Sequence, residues 1–572
     1  MFFSPSKTLA LLWCCAPAMA FGQEMRGMWA DTFHAGLRNS SETSALVAAA
    51  RAANCNALFV EVRKRGDAYY RDGLEPVATD VVAGFDPLAD LITKAHAGPE
   101  RLEVHAWMVT YNIWNNGNIP PSQPTHPFNL HPEWLTQNNV GAQFDSSNYQ
   151  LDPGHPEVQA HTFDVAADIL NRYDVDGIHL DYVRYSEHSS SLNSQPWGYN
   201  PVSVARFQKL KNRTTTPAIN DSVWLQWRRD QVTALVRRLY LHAWATKPHV
   251  RISAALIPWG TAPAENASLT AWQNTEAYGR VLQDWRGWME EGILDLACPM
   301  VYGTSNSGFS GWANFTRERQ YNRMAALGMG WYNNPISSTI AKVKIARGSS
   351  AGGKTSSGVI GYSYAVPNVD GISRAETWAA FTDDVTAESY DPGGTPVFAN
   401  PVATPSMPWK TNTARGHLMG FVGNGLDRKF DGTTISLAGP VNRSLLADAN
   451  GFFGAVDLPV GNYTATVTRP GYAPVTQNVA VTGATVAQRS LGVQRLPFRI
   501  TSLVRTPAPA NKLTISWNSL PGRTYRIEGA AVPGQWSPIA SGVSATTGSS
   551  TYEWTVPAAW GAQAYIRVVE EP

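Results

Sequence analysis

Between residues 24 and about 385, strand-like apolar runs alternate with amphipathic helical stretches. That alternation leaves very few possible architectures. The strands are expected at Met25 to Phe33, Ala57 to Arg63, Glu103 to Tyr111, Gly177 to Tyr182, Arg251 to Pro258, Leu294 to Tyr302, Met329 to Tyr332 and Val359 to Tyr364. Helical patterns separate them: Glu42 to Ala53, Pro87 to Ala97, Pro156 to Tyr173, Ser222 to Thr246, Glu276 to Glu291, Ala313 to Leu327 and Ile336 to Arg347. Eight alternations over this length predict an α/β fold, a parallel (β/α)8 barrel with insertions. An open doubly wound sheet would alternate similarly, but no G-x-G-x-x-G follows the first strand.

The character changes beyond residue 386. The stretch 386–412 is rich in Pro, Gly, Thr and Ser and carries no period, as befits a linker or an exit path along the barrel. Short alternating runs with turn signals follow, and they predict two small all-β sandwiches. The expected division is a leader over 1–20, a barrel over 21–390, a linker over 391–415, a first β-sandwich over 416–494 and a second over 495–572. The leader reading rests on Lys7, the apolar run Thr8 to Pro17 and the A-x-A site Ala18-Met19-Ala20. It implies a secreted, periplasmic or cell-envelope protein. No later apolar run approaches twenty residues, so the mature chain is expected to have no integral membrane segment.

The formal net charge is +1 and 16% of residues are charged, which gives no electrostatic case for nucleic acid. The 21 Trp lean towards sugar-stacking platforms, although any one of them is more readily core filler. Removal of the leader takes Cys14 and Cys15 with it. Cys55 and Cys298 remain, too few for a disulfide framework, and are expected as buried free thiols. A monomer is expected, with a polysaccharide or oligosaccharide as partner.

In such a barrel the chemistry sits at the C-terminal ends of the strands. The most polar of these ends is DVDGIHLDYVRY, Asp174 to Tyr185. Alternation puts His179 and Asp181 on one face and Ile178 and Leu180 on the other. Asp181 is the central candidate, with His179 one layer below to orient it. Glu61 and Arg63 share a face on the second strand, and Glu61 is the leading partner carboxyl. Asp67 and Glu187 are its reserves. Trp107, Tyr111, Asn112, Arg184, Tyr185, Trp259 and Tyr302 are the candidate binding residues. Paired carboxyls with environments that push their pKa values apart suit glycosidic cleavage. Asp176 and Asp295 fall at strand starts and read as structural. No Cys/His metal spacing occurs, and neither a metal nor a cofactor is expected.

The motifs EMRGMWADT, FVEVRKRGDAYY, HAWMVTYN, LDPGHPEVQ, DVDGIHLDYVRY and LDLACPMVY, in this order, resemble the bacterial glycosyl hydrolase-like 10 family over residues 24 to 370. The resemblance implies an exported (β/α) barrel assigned to glycoside hydrolysis, one branch of which is similar to an enzyme acting on peptide-free peptidoglycan strands. It also implies the aspartate Asp181, and places Arg26, Arg63, Asp67, Trp107, Asp152, Tyr185 and Tyr302 on family motif positions. Family-18 chitinases are distantly similar, but their acid position is Val183 here, so the acid must come from elsewhere. Many family members carry Gln where this chain has Glu61. DANGFFGAVDLPVGNYTATVTRPGYAPVTQNV resembles carboxypeptidase regulatory-like modules, and SWNSLPGRTYRIE resembles fibronectin-type modules. The alternatives to a hydrolase are a non-catalytic glycan-binding barrel with surface-attachment modules, or a lyase or isomerase on the same fold.

Overall fold

The computed structural model describes residues 22–117, 119–187, 196–507, 509–520, 522–557, 560 and 565–571; the expected leader lies outside them. Eight parallel strands close into a barrel: β1 (Met25–Ala30), β2 (Ala57–Arg63), β3 (Glu103–Val109), β4 (Gly177–Asp181), β5 (Arg251–Leu256), β6 (Leu296–Val301), β7 (Met324–Gly330) and β8 (Gly358–Tyr362). Each pairs with its sequence neighbour, and β1 pairs with β8. The strands are buried on both faces, as a parallel barrel ringed by helices requires. Outward side chains such as Leu58, Val60, Ile178 and Leu180 join the helix-facing core. Inward ones, Met25, Trp29, Phe59, Trp107, Cys298 and Ile360, fill the lumen as a separate cluster.

The seventh strand begins five residues earlier than its sequence pattern predicts. Ala and Leu favour a helix through Leu327, but Tyr321 (φ 46°) and Asn322 (φ 72°) are both left-handed. The helix therefore stops at Glu318 and the chain re-enters the barrel at Met324. Tyr332 consequently sits in a 3₁₀ turn, Trp331–Asn333. Leu282 (φ 58°) likewise splits the expected helix over 276–291 into Glu276–Gly279 and Trp285–Glu291. A helix over Pro201–Lys211 was not legible as periodicity; its signal is the Asn200 cap, accepting from the Val202 amide, followed by Pro at the first position.

The stretch 391–415 packs across the N-terminal end of the barrel. The Glu24 amide donates to Ala403 O (3.1 Å), the Arg251 guanidinium to Pro405 O, and the Trp409 indole to Asp295 Oδ1 (2.7 Å). Asp295 also takes the Ile252 amide, and Asp176 takes the Val104 amide and Arg101, so both are structural. Two β-sandwiches follow. The first has sheets of three and four strands, between Arg415 and Gln488, and the second has two three-stranded sheets between Ile500 and Glu570. The first sandwich is tied to the barrel by Arg206–Asp431 (2.8 Å), Arg323–Asp457 (2.9 Å) and the Trp244 indole on Ala484 O (3.2 Å). Cys55 and Cys298 are free and buried. Among the described residues no helix is long and apolar enough to cross a membrane.

Candidate active site

A cavity of about 630 Å³ opens at the C-terminal end of the barrel. Its carboxyls are Glu61 and Asp181, its cations Lys64, Arg65 and Arg184, and its walls are aromatic. Asp181 closes β4, with its backbone carbonyl held by the Thr110 amide at 2.7 Å. The chain then turns sharply through Tyr182 (φ 48°), a conformation that costs a non-glycine residue roughly 1 kcal/mol or more. The turn aims the Tyr182 amide at Asp181 Oδ1 (2.7 Å). Burial pushes the Asp181 carboxyl up to about 6, while the Tyr182 amide, Arg184 and Trp107 act in the opposite direction.

Glu61 lies two strands away, on β2, in register with Trp107 of the intervening β3. Its Oε2 accepts from both the Thr32 amide (2.8 Å) and the Thr32 hydroxyl (2.6 Å). Burial pushes this carboxyl up to about 7; the Thr32 hydrogen bonds oppose the rise and the Asp31 charge adds to it. In both carboxyls the main cause is burial, and neither is among the causes that raise the other.

Arg63 does not reach this cavity, contrary to strict alternation. A register shift between Glu61 and Arg63 puts Arg63 opposite Met108 and turns it off the lumen. It is fully buried and bidentate on Glu75 (2.6 and 2.7 Å), with further bonds to the Val109 and Thr110 carbonyls. Burial alone would raise the Glu75 carboxyl; Arg63 and His161 override it and hold Glu75 well below the usual range. Asp67 also stays out of the cavity: its Oδ1 caps the Arg65 amide at 3.0 Å. Glu187 is exposed and pairs with Arg280 (2.7 Å). Neither reserve carboxyl therefore stands beside Asp181.

Among the expected binding residues Trp107, Asn112, Arg184, Trp259 and Tyr302 line the cavity. Tyr302 stacks on Tyr362, centroids 5.5 Å apart and rings 9° from parallel. Tyr111 and Tyr185 are buried behind the wall, their hydroxyls without a hydrogen-bond partner among the described residues. His179 is sealed in the lumen below Asp181 and does not orient it. Its Nε2 accepts from the Trp29 indole (3.0 Å) and its Nδ1 meets Ser253 Oγ (2.9 Å). Burial keeps that imidazole neutral, lowering it well below the ordinary range. It thus positions Trp29, which lines the cavity. Lys64, Arg65 and Tyr182 were missed as site residues. Their signal is position alone: they come directly after the ends of β2 and β4. Among the described residues no group of three or more His, Cys, Asp or Glu side chains is arranged to hold a metal ion.

One wall of the cavity hangs on a buried lysine. Lys342 Nζ donates to Gly303 O (2.7 Å) and to Asn334 Oδ1, joining the loop after β6 to the turn after β7. Lys342→Met is expected to leave those acceptors unpaired at a cost of about 1–3 kcal/mol. Steady-state kinetics should then show a raised KM and a nearly unchanged kcat, because Lys342 touches the wall and not the carboxyls.

The model of the glycosyl hydrolase-like 10 family matches residues 24–342, more than half of the chain and all strands through β7. The chain belongs to the glycosyl hydrolase-like 10 family. Membership places it among glycan-acting barrels. The carboxypeptidase regulatory-like model matches residues 417–492, the first β-sandwich. The glycosyl hydrolase YngK of Bacillus subtilis is 26% identical over 255 residues, 43% of this chain and 46% of that protein. The glycosyl hydrolase DigH of Escherichia coli K12 is 25% identical over 274 residues, 43% of this chain and 54% of that protein. The chain spans about half the length of the curated relatives it matches. Among solved structures, the glycoside hydrolase domain of PgaB (BpsB) from Bordetella bronchiseptica superposes with a TM-score of 0.44 at 12% identity, over 67% of this chain and 100% of that domain.

Proposed function

We propose that this chain is an exported glycoside hydrolase that cleaves glycosidic bonds of a polysaccharide, with peptidoglycan glycan strands among its candidate substrates. The observation that carries the reading is Asp181: a buried carboxyl at a barrel strand's C-terminal end, facing an aromatic-walled cavity that a second buried carboxyl, Glu61 two strands along, also lines. Export rests on the leader pattern of residues 7–20.

The two environments divide the roles. Both carboxyls have an amide and a cation acting on them, but only Glu61 also faces an acidic neighbour, Asp31, and Asp181 is raised less, to about 6. Glu61 holds its proton to about 7. Glu61 is therefore the general acid, protonating the leaving glycosidic oxygen. Ionised Asp181 faces the developing positive charge on the sugar, as nucleophile or as base for water. Trp259 and the stacked Tyr302–Tyr362 pair offer flat faces to sugar rings and exclude water around the reacting bond.

This division predicts a bell-shaped pH profile of kcat/KM. The rate rises as Asp181 loses its proton near 6 and falls as Glu61 loses its own near 7. Glu61→Gln should abolish the alkaline limb and slow turnover by about 10²–10⁴-fold. Release of reducing ends from denuded peptidoglycan and a panel of bacterial and algal polysaccharides, followed across pH, tests both statements. An alkaline limb unchanged in Glu61→Gln removes Glu61 from the acid's role. A glycan-binding barrel is the second reading, favoured by the double engagement of Glu61 Oε2 with Thr32. It predicts tight binding of a glycan that the wild type never cuts.

A further inference from the structure

Three cations line the cavity, and among the described residues none of them makes a salt bridge. Among the described residues neither Lys64, Arg65 nor Arg184 lies within 4.0 Å of a carboxylate oxygen; the buried Arg228, Arg229 and Arg317 share that condition, but they donate to backbone carbonyls away from the cavity. Arg184 is the sharpest case. Only 7% of it is exposed, and among the described residues its one hydrogen bond runs from Nη1 to Tyr185 O at 3.2 Å. A guanidinium buried to that degree is costly unless an anion faces it. Asp181 feels the Arg184 charge, but its carboxyl oxygens lie beyond salt-bridge distance, so the guanidinium's N–H edge is left for another oxyanion.

The aromatics around these cations fix how they present. The Arg184 guanidinium lies over Tyr182 (4.7 Å) and Trp259 (5.2 Å). Arg65 lies over Phe33 (4.6 Å), and Lys64 Nζ is 4.8 Å from the same ring. A guanidinium stacked by its face keeps its N–H edge free, and that edge matches the two oxygens of an oxyanion. The carboxylates nearby are otherwise engaged: Asp67 caps the Arg65 amide, and Asp31 holds His34 at 2.7 Å.

The cations also flank the two carboxyls. Lys64 and Arg65 continue the chain directly from the Glu61 strand, and Arg184 follows Asp181 by three residues. We infer that the cleft takes an acidic glycan, with Arg184 on one side of the scissile bond and Lys64 with Arg65 on the other, each reading an oxyanion carried by the sugars. Carboxylate and sulfate share the chemistry these groups recognise. This inference rests on the proposed glycan-cleaving role and names the substrate's charge class.

Calorimetric titration of the full-length Asp181→Asn variant, which holds substrate without consuming it, tests this. The probes are polygalacturonate, alginate and denuded peptidoglycan strands, each beside the same polymer with its carboxyls reduced to alcohols, and a sulfated galactan. Carboxyl reduction should weaken binding about ten- to a hundredfold, the size of one to two charge-assisted hydrogen bonds. Arg184→Gln and the pair Lys64→Gln/Arg65→Gln, each added to that variant, should shrink the difference between acidic and reduced polymers, and added salt should do the same. Tighter binding of the sulfated galactan than of any carboxylate would make sulfate the recognised group. Equal affinity for acidic and reduced polymers, or binding of no acidic glycan, overturns the inference. Acidic glycans that bind without wild-type release of reducing ends leave it standing and remove the hydrolase reading. Wild-type cleavage of neutral glycans with no preference for acidic ones does the reverse.

Discussion

Asp181→Asn is expected to slow turnover by about 10³-fold, the scale on which a positioned acid, base or nucleophile acts, and to make the protein more stable at neutral pH. The second half follows from the sign of the pKa shift. The folded carboxyl titrates near 6, above its unfolded value of 3.8, so the folded state binds more protons between those values. Stability therefore falls as pH rises through that window, and at pH 7 the ionised, buried Asp181 costs on the order of 2–3 kcal/mol. Asn keeps the shape and removes the charge. Thermal denaturation should show a melting temperature at pH 7 no lower than wild type, with the gain gone near pH 4. A variant both inactive and unstable would make Asp181 a structural residue.

Arg63→Met is expected to destabilise the barrel by about 3–5 kcal/mol, because it leaves the Glu75 carboxylate buried without its cation. Glu75 and Arg63 are each fully shielded, and His161 (2.9 Å) cannot replace a bidentate guanidinium. Glu75→Gln should cost less, since an amide still accepts one N–H. The double variant should cost less than the sum of the two, the signature of a direct pair. Denaturant titration gives all three values. Activity per folded molecule should stay close to wild type, which separates Arg63 from the cavity residues despite its place in the same motif.

The barrel was legible because its signal is long and repeated: eight strands buried on both faces read as apolar runs, and the helices between them keep their period. What escaped were local breaks in that regularity. Tyr321 and Asn322 in left-handed conformation end a helix that Ala and Leu would prolong. The bulge after Glu61 is invisible to a period of two, and it alone decides that Glu61 faces the lumen while Arg63 does not. Asp181 and Trp107 were found by the rule that chemistry gathers at strand ends. Lys64 and Arg65 obey the same rule one and two residues later. Tyr111 and Tyr185 also sit just past strand ends, yet they are buried and do not line the cavity. Strand pleating carries inward and outward; it carries nothing about how a loop returns over a barrel's rim.

The most direct measurement of a hydrolytic cleft is the fate of the oxygen. Digestion of a susceptible polysaccharide in ¹⁸O-labelled water, with mass spectrometry of the fragments, should place one ¹⁸O at each newly formed reducing end, at a rate that collapses in Asp181→Asn. Unlabelled fragments with an unsaturated sugar at the cut would assign the barrel to elimination, and a glycan that binds and is never cut would make it a binding module; either result contradicts the account.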